Sequence, residues 1–120
     1  MPIKTRRRYL ALKINAEEKL EVKDLLDALW SAILKLYGEY GASKAGLTLI
    51  DYDREKGFAT IRVSHTEVER VKAAIATITE VNAKPAAVHV LTVSGTLRAL
   101  HKRLEAKGPI DKTFKFLKLN

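Results

Sequence analysis

The sequence predicts an α+β two-layer sandwich, and three observations carry that expectation. Short alternating apolar segments and segments of helical period follow one another in the order β-α-β-β-α-β-α. The two middle strands are separated by the four-residue polar loop Arg54-Glu55-Lys56-Gly57, which ends in glycine as a hairpin requires. The chain has 120 residues, enough for one domain that buries roughly 65% of its unfolded surface.

Each element has its own reason. Residues 8–14 alternate, with Leu10, Leu12 and Ile14 on one side and Tyr9, Ala11 and Lys13 on the other, so they form a half-buried strand. Residues 21–37 keep a helical period in which Asp24, Asp27, Ser31 and Lys35 make one narrow polar stripe. The remaining arc, from Val22 to Tyr37, is apolar and wider than one sheet face can cover. A second helix or a second protein therefore has to cover the surplus, with Leu26, Trp30, Ile33 and Tyr37 as the expected partner residues. Gly38 and Gly41 are expected to end this helix. Gly46–Asp53 and Phe58–Ser64 are the hairpin strands. Thr66, with Glu69 three residues on, predicts a capping box for a helix whose apolar face is Val68, Val71, Ile75 and Ile78. A turn at Asn82–Pro85 leads to a strand at Ala87–Val93, then a helix from Thr96 to Lys107 with Leu97, Leu100 and Leu104 as its stripe. Gly108-Pro109 stops that helix.

Two split β-α-β halves with right-handed crossovers make this a ferredoxin-like, or RRM-like, architecture. Its four-stranded antiparallel sheet carries helices on one face, plus an extra C-terminal helix. The domain organisation is a single RRM-like domain over 1–120, with a basic N-terminal arm (1–8) and a basic C-terminal tail (108–120).

Charge is the next strongest signal. The formal net charge of +8 gathers at the two ends of the chain. Residues 1–13 hold five bases (Lys4, Arg6, Arg7, Arg8, Lys13) and no acid, and residues 98–120 hold seven bases against Glu105 and Asp111. Residues 16–40 are net acidic, with six acids and three bases. Concentrated cations release counterions on meeting a polyanion, so nucleic acid is the expected partner. The absence of cysteine excludes disulfides, thiolate nucleophiles and zinc ribbons and fits a cytoplasmic location. No apolar run approaches the ~18 residues of a membrane span.

Catalytic constellations are missing. His65, His89 and His101 are scattered, without ligand spacing, and Asp51 and Asp53 fit the solvated end of a hairpin better than a metal or acid–base pair. No catalytic or metal residues are assigned. Ser94-Gly95-Thr96 joins a strand to the N-terminus of a basic helix. It suits either an ordinary cap or a phosphate contact, with Arg98 and Lys102 following one turn apart. The expected RNA-binding set is Arg6, Arg7, Arg8, Lys13, Ser94, Gly95, Thr96, Arg98, Lys102, Arg103, Lys107, Lys112, Lys115 and Lys118. Base stacking in the RRM manner needs aromatics on the two central strands. Tyr9 and Phe58 qualify, but Thr60 and Arg62 stand where further aromatics belong. Contacts to backbone and shape are expected instead.

Four stretches resemble one family: Arg6–Lys13, Leu36–Gly41, Gly57–Val63 and Val93–Ala99. In order and spacing they are similar to archaeal ribonuclease P protein component 2, the small RRM-like subunit of archaeal and eukaryal ribonuclease P. The resemblance implies a non-catalytic protein subunit that stabilises the active fold of a catalytic RNA, which removes the 5′ leader from precursor tRNA. It implies that Mg²⁺ belongs to the RNA and that this chain binds no cofactor. It also implies ribonuclease P RNA and the TIM-barrel ribonuclease P protein component 3 as partners, self-association, indirect contact with precursor tRNA, and no membrane. Two rival classes share parts of the pattern: a ribosomal or RNA-chaperone protein of the same fold, and a metabolite-binding or acylphosphatase-like ferredoxin fold. The second would need a Gly-rich loop with an Arg after the first strand, where this chain has the acidic Asn15-Ala16-Glu17-Glu18-Lys19.

Overall fold

A computed structural model describes residues 6–105. The elements are β1 (Arg7–Ala16), α1 (Val22–Ala45), β2 (Thr48–Asp53), β3 (Phe58–Ser64), α2 (Val68–Ala76), β4 (Glu80–Val81), β5 (Lys84–Ser94) and α3 (Leu97–Glu105). The sheet order is β2-β3-β1-β5-β4, and every neighbouring pair is antiparallel. This is the ferredoxin-like arrangement with one short strand added at an edge.

The alternation of β1 sets the layers. Leu10, Leu12 and Ile14 pack with Ile61, Val63 and Val88 of the neighbouring strands. Against them lie Leu25, Leu29 and Ile33 of α1 and Val71 and Ile75 of α2. Side chains of this kind stabilise by about 1.5–3 kcal/mol each when fully buried. The opposite face is closed by α3, whose Leu100 is buried in a smaller cluster with Ala11 and Phe58. Tyr9, Leu91 and Leu97 pack around that cluster.

Three local outcomes differ from the sequence reading. Gly38 interrupts α1 (φ 72°, ψ −176°), but the helix resumes and ends at Gly46 in the left-handed conformation. Gly41 lies inside the resumed segment, where a Cβ would meet that of Tyr37 at 2.4 Å. The glycines therefore bend the helix rather than end it, because Ala42 and Ala45 still have core to bury. The capping box does not form. His65–Glu67 is a 3₁₀ turn, Thr66 Oγ1 donates to Glu67 Oε2 (3.1 Å), and Glu69 pairs instead with Lys72. The 3₁₀ turn tightens the entry and leaves Glu67, not Thr66, at the start of α2. The turn at Asn82–Pro85 is tighter than expected, with Asn82 and Ala83 at φ 53° and 65°. That two-residue reversal creates β4 and starts β5 at Lys84 rather than Ala87, giving five strands instead of four. The hairpin at Arg54–Gly57 forms as predicted. Gly57 has φ 74°, and a Cβ there would meet the Ile14 carbonyl oxygen at 2.6 Å.

Candidate nucleic-acid interface

The start of β1, with Arg6 just before it, brings three arginines to one end of the sheet. The Arg6 carbonyl accepts the His65 amide (2.9 Å), which ties the arm to the β3–α2 turn. Arg7 pairs with Ser64 across β1 and β3. Its Nη1 and the Ser64 hydroxyl both lie 3.6 Å from where a Cβ on Gly46 would sit, so its guanidinium is beside the end of α1. Arg8 Nη1 donates to the Arg7 carbonyl (3.2 Å) and lies against Gly95, 3.5 Å from a Cβ built there.

The Ser94-Gly95-Thr96 turn meets this cluster because Tyr9 pairs with Ser94. Its hydroxyls serve the fold. Thr96 Oγ1 accepts the Ala99 amide (3.1 Å), and buried Ser94 Oγ accepts the Thr96 amide (3.4 Å). Thr96 is thus an ordinary N-cap of α3, and the charge around it comes from side chains. Arg98, Lys102 and Arg103 are exposed on α3, and Arg103 Nη1 donates to the Val93 carbonyl. Arg98 and Lys102 share a helix face at i, i+4 spacing.

Lys13 is not part of this group. Six residues of extended strand carry it about 20 Å from Arg7. There its ammonium donates to the Lys56 carbonyl (3.1 Å) and lies 4.5 Å from the centroid of the Phe58 ring. Lys107, Lys112, Lys115, Lys118 and the tail as a whole lie outside the described residues, as do the side chain of Leu104 and residues 1–5 of the arm.

The two ends of the sheet differ in how their cations are used. Among the described residues, no ion pair joins Arg6, Arg7, Arg8, Arg98, Lys102 or Arg103 to an acid. At the far end, Lys19 pairs with Glu55, Arg54 with Glu21 (3.0 Å) and Lys84 with Glu18 (2.5 Å). An open cleft of about 410 Å³ lies at that far end, between Asn15–Leu20 and the β2–β3 hairpin, with Glu18, Lys19, Arg54 and Glu55 in its lining. Among the described residues, the cations at the end carrying the arginines are not matched to acids in this way.

The other candidates take structural places. Asp51 Oδ1 accepts the Tyr52 amide (2.8 Å) and Asp53 Oδ1 accepts the Lys56 amide (3.1 Å), so both carboxylates hold the hairpin. His65 and His89 are exposed on separate elements, and His101 is partly buried on α3. Among the described residues no group of acids and histidines is arranged to hold a metal ion. Phe58 is 6% exposed, and Tyr9 packs in the same cluster beneath α3, so neither presents an open stacking surface.

The expected partner residues of α1 also fall differently. Ile33 is 1% exposed and belongs to the main core, while Leu26, Trp30 and Tyr37 pack partly buried against it. The apolar side chains that α1 does expose are Val22, Leu34, Leu36 and Tyr40. Helical period alone marked the arc as too wide. Which edge stays uncovered depends on where α2 sits.

Glu67 escaped the sequence reading. Its carboxylate is buried, accepts Arg70 Nη1 (2.9 Å) and the Thr66 hydroxyl, and fixes the entry to α2. The Arg70 hydrogen bond holds its pKa below the ordinary glutamate value. The Thr66 hydrogen bond and the charges of Arg70 and Lys44 act the same way, against the opposing effect of burial. An i, i+3 Glu–Arg spacing was its only signal, and that spacing is common on exposed helices.

Fold and charge together define a ferredoxin-like protein with a cationic end suited to a polyanion. Residues 8–105 match the Rpp14/Pop5 family, and the chain belongs to it. Its relatives carry the name ribonuclease P protein component 2. The protein of Methanosarcina mazei is 34% identical over 107 residues, covering 88% of this chain and 90% of that protein. The one from Methanocaldococcus jannaschii is 36% identical over 108 residues, covering 89% and 79%. The Pyrococcus furiosus protein is 30% identical over 101 residues, covering 84% of each. In fold, the chain is similar to one in the cryo-EM structure of yeast ribonuclease MRP. That match has a TM-score of 0.62 at 18% identity and covers 94% of this chain and 98% of the other.

Proposed function

We propose that this chain is an RNA-binding subunit of ribonuclease P that acts in the cytoplasm, stabilising the active fold of the catalytic RNA for removal of the 5′ leader from precursor tRNA. The carrying observation is a set of six cations, Arg6, Arg7, Arg8, Arg98, Lys102 and Arg103, toward one end of the sheet, none of which joins an ion pair among the described residues. RNA helices that must pack together repel through their phosphates. Cations held on a rigid sheet end and a short helix neutralise that repulsion and fix the relative position of the helices. Contacts of this kind position the RNA without reading its sequence. In this reading the RNA and its Mg²⁺ do the chemistry, and the protein breaks no bond. The exposed Val22, Leu34, Leu36 and Tyr40 of α1 suit a protein partner, which the family reading gives as the TIM-barrel component 3 or a second copy.

Reconstitution with an archaeal ribonuclease P RNA and partner proteins tests this. Neutralising Arg6, Arg7 and Arg8 together should reduce the slope of log affinity against log salt by about two to three and cripple leader removal. Full cleavage by the triple variant would show that this end of the sheet is not the RNA contact. A salt-independent affinity of the parent chain would dispose of phosphate contacts altogether.

A further inference from the structure

The layer between α3 and the sheet leaves polar atoms without partners. Thr60 Oγ1, Arg62 Nε and His101 Nε2 are buried, and none makes a hydrogen bond. Thr60 and Arg62 alternate with Ala59, Ile61 and Val63, so they stand on the face away from α1 and α2. His101 follows the buried Leu100 on α3 itself. Water would satisfy all three atoms, so burying them works against the docking of this layer. Among the described residues, the apolar cluster that favours docking has Ala11, Phe58 and Leu100 as its buried members, with Tyr9, Leu91 and Leu97 packed around them. Docking also holds one donor of Arg103, whose Nη1 donates to the Val93 carbonyl.

We propose that α3 is a detachable strap, hinged at Ser94–Gly95, and that RNA binding favours its release from the sheet. The coupling to RNA rests on the reading given above; the strap itself does not. Release hydrates the three unpartnered atoms, frees Arg103 Nη1 for phosphate, and uncovers Tyr9 and Arg62. A ligand shifts such an equilibrium only through contacts that differ between the two states. Here the released state adds Arg62, Tyr9 and the Arg103 Nη1 otherwise held by Val93 to the cations that both states present.

Two measurements test this on the full chain. In the unmodified protein without RNA, amide hydrogen exchange at Leu100–Arg103 should be about a hundredfold faster than at Leu10, Leu12 and Ile61. Equal protection of the two groups would overturn the strap. The second uses Leu100→Cys in a sequence with no other cysteine, followed with a thiol reagent. Labelling should run well ahead of that of Leu12→Cys, and an archaeal ribonuclease P RNA should speed it by about tenfold. Labelling that is slowed or unchanged by bound RNA would overturn the coupling. Failure of RNA to bind the parent chain, measured separately, would remove the RNA reading and the coupling with it. The exchange contrast, taken without RNA, would still decide the strap.

Discussion

The two faces of the sheet are built to different standards. Toward α1 and α2 lie Leu10, Leu12, Ile14, Ile61 and Val63, all nearly or fully excluded from water within the main apolar core. Toward α3 the same strands present Tyr9, Ala11, Phe58, Thr60 and Arg62, where the buried apolar cluster is smaller among the described residues and polar atoms go unsatisfied. One sheet thus has a face that holds the fold and a face that is only provisionally closed. Stability concentrates on the first. The second can afford polar side chains because little depends on its being dry.

The comparison breaks most directly at the core. Leu12→Ala should destabilise the protein by about 2–5 kcal/mol, read by denaturant unfolding, because it opens a cavity between sheet and helices. Leu100→Ala removes a side chain of the same size and the same burial. It should cost about 2 kcal/mol or less globally, and its main effect should be faster amide exchange confined to α3. Equal global losses from the two substitutions would show that the faces are equivalent.

A smaller effect is expected at the entry to α2. Glu67→Gln weakens charge-assisted hydrogen bonds and should cost about 1–3 kcal/mol near neutral pH. Because the folded-state pKa of Glu67 is depressed, its contribution is complete above the unfolded value. It is lost as pH falls through the folded one. Thermal melts from neutral to acidic pH should therefore show the parent losing stability on acidification, with a shallower decline in Glu67→Gln. Parallel curves would assign the acid sensitivity to other groups. Thr96→Ala removes the N-cap of α3 and should cost about 1 kcal/mol, expressed as fraying of α3 rather than as unfolding of the sheet. The smallest effect has the opposite sign. Thr60→Val replaces an unpartnered buried hydroxyl by a methyl of similar shape and should be neutral or slightly stabilising in chemical denaturation. A clear loss of stability would mean that the hydroxyl has a partner in solution.

Much of the architecture was legible because it depends on local periodicity. The alternation of residues 8–14, the hairpin glycine at 57 and the helical period of residues 21–37 each mark an element without reference to the rest of the chain. The misreadings occurred where a neighbour decides. Gly38 and Gly41 signal an end in isolation, but the buried positions of Ala42 and Ala45 give the chain a reason to continue the helix. Thr66 and Glu69 match a capping pattern, yet the buried Glu67–Arg70 pair claims that turn. The arginines of the arm could be read as a cluster, but Lys13 could not be separated from them, because its distance along the strand matters only once the strand is extended.

By itself the sequence determined the order of the elements apart from the short β4, the inward side of β1 and the concentration of cations near the chain ends, since these follow from side-chain chemistry at fixed spacing. Only the tertiary structure decided that the two helices before β4 close one face and α3 the other. It also decided which α1 side chains stay exposed and which cations join no ion pair among the described residues. Burial and ion pairing are properties of neighbours in space, and the β1–β3 and β1–β5 pairings that create those neighbours join residues tens of positions apart.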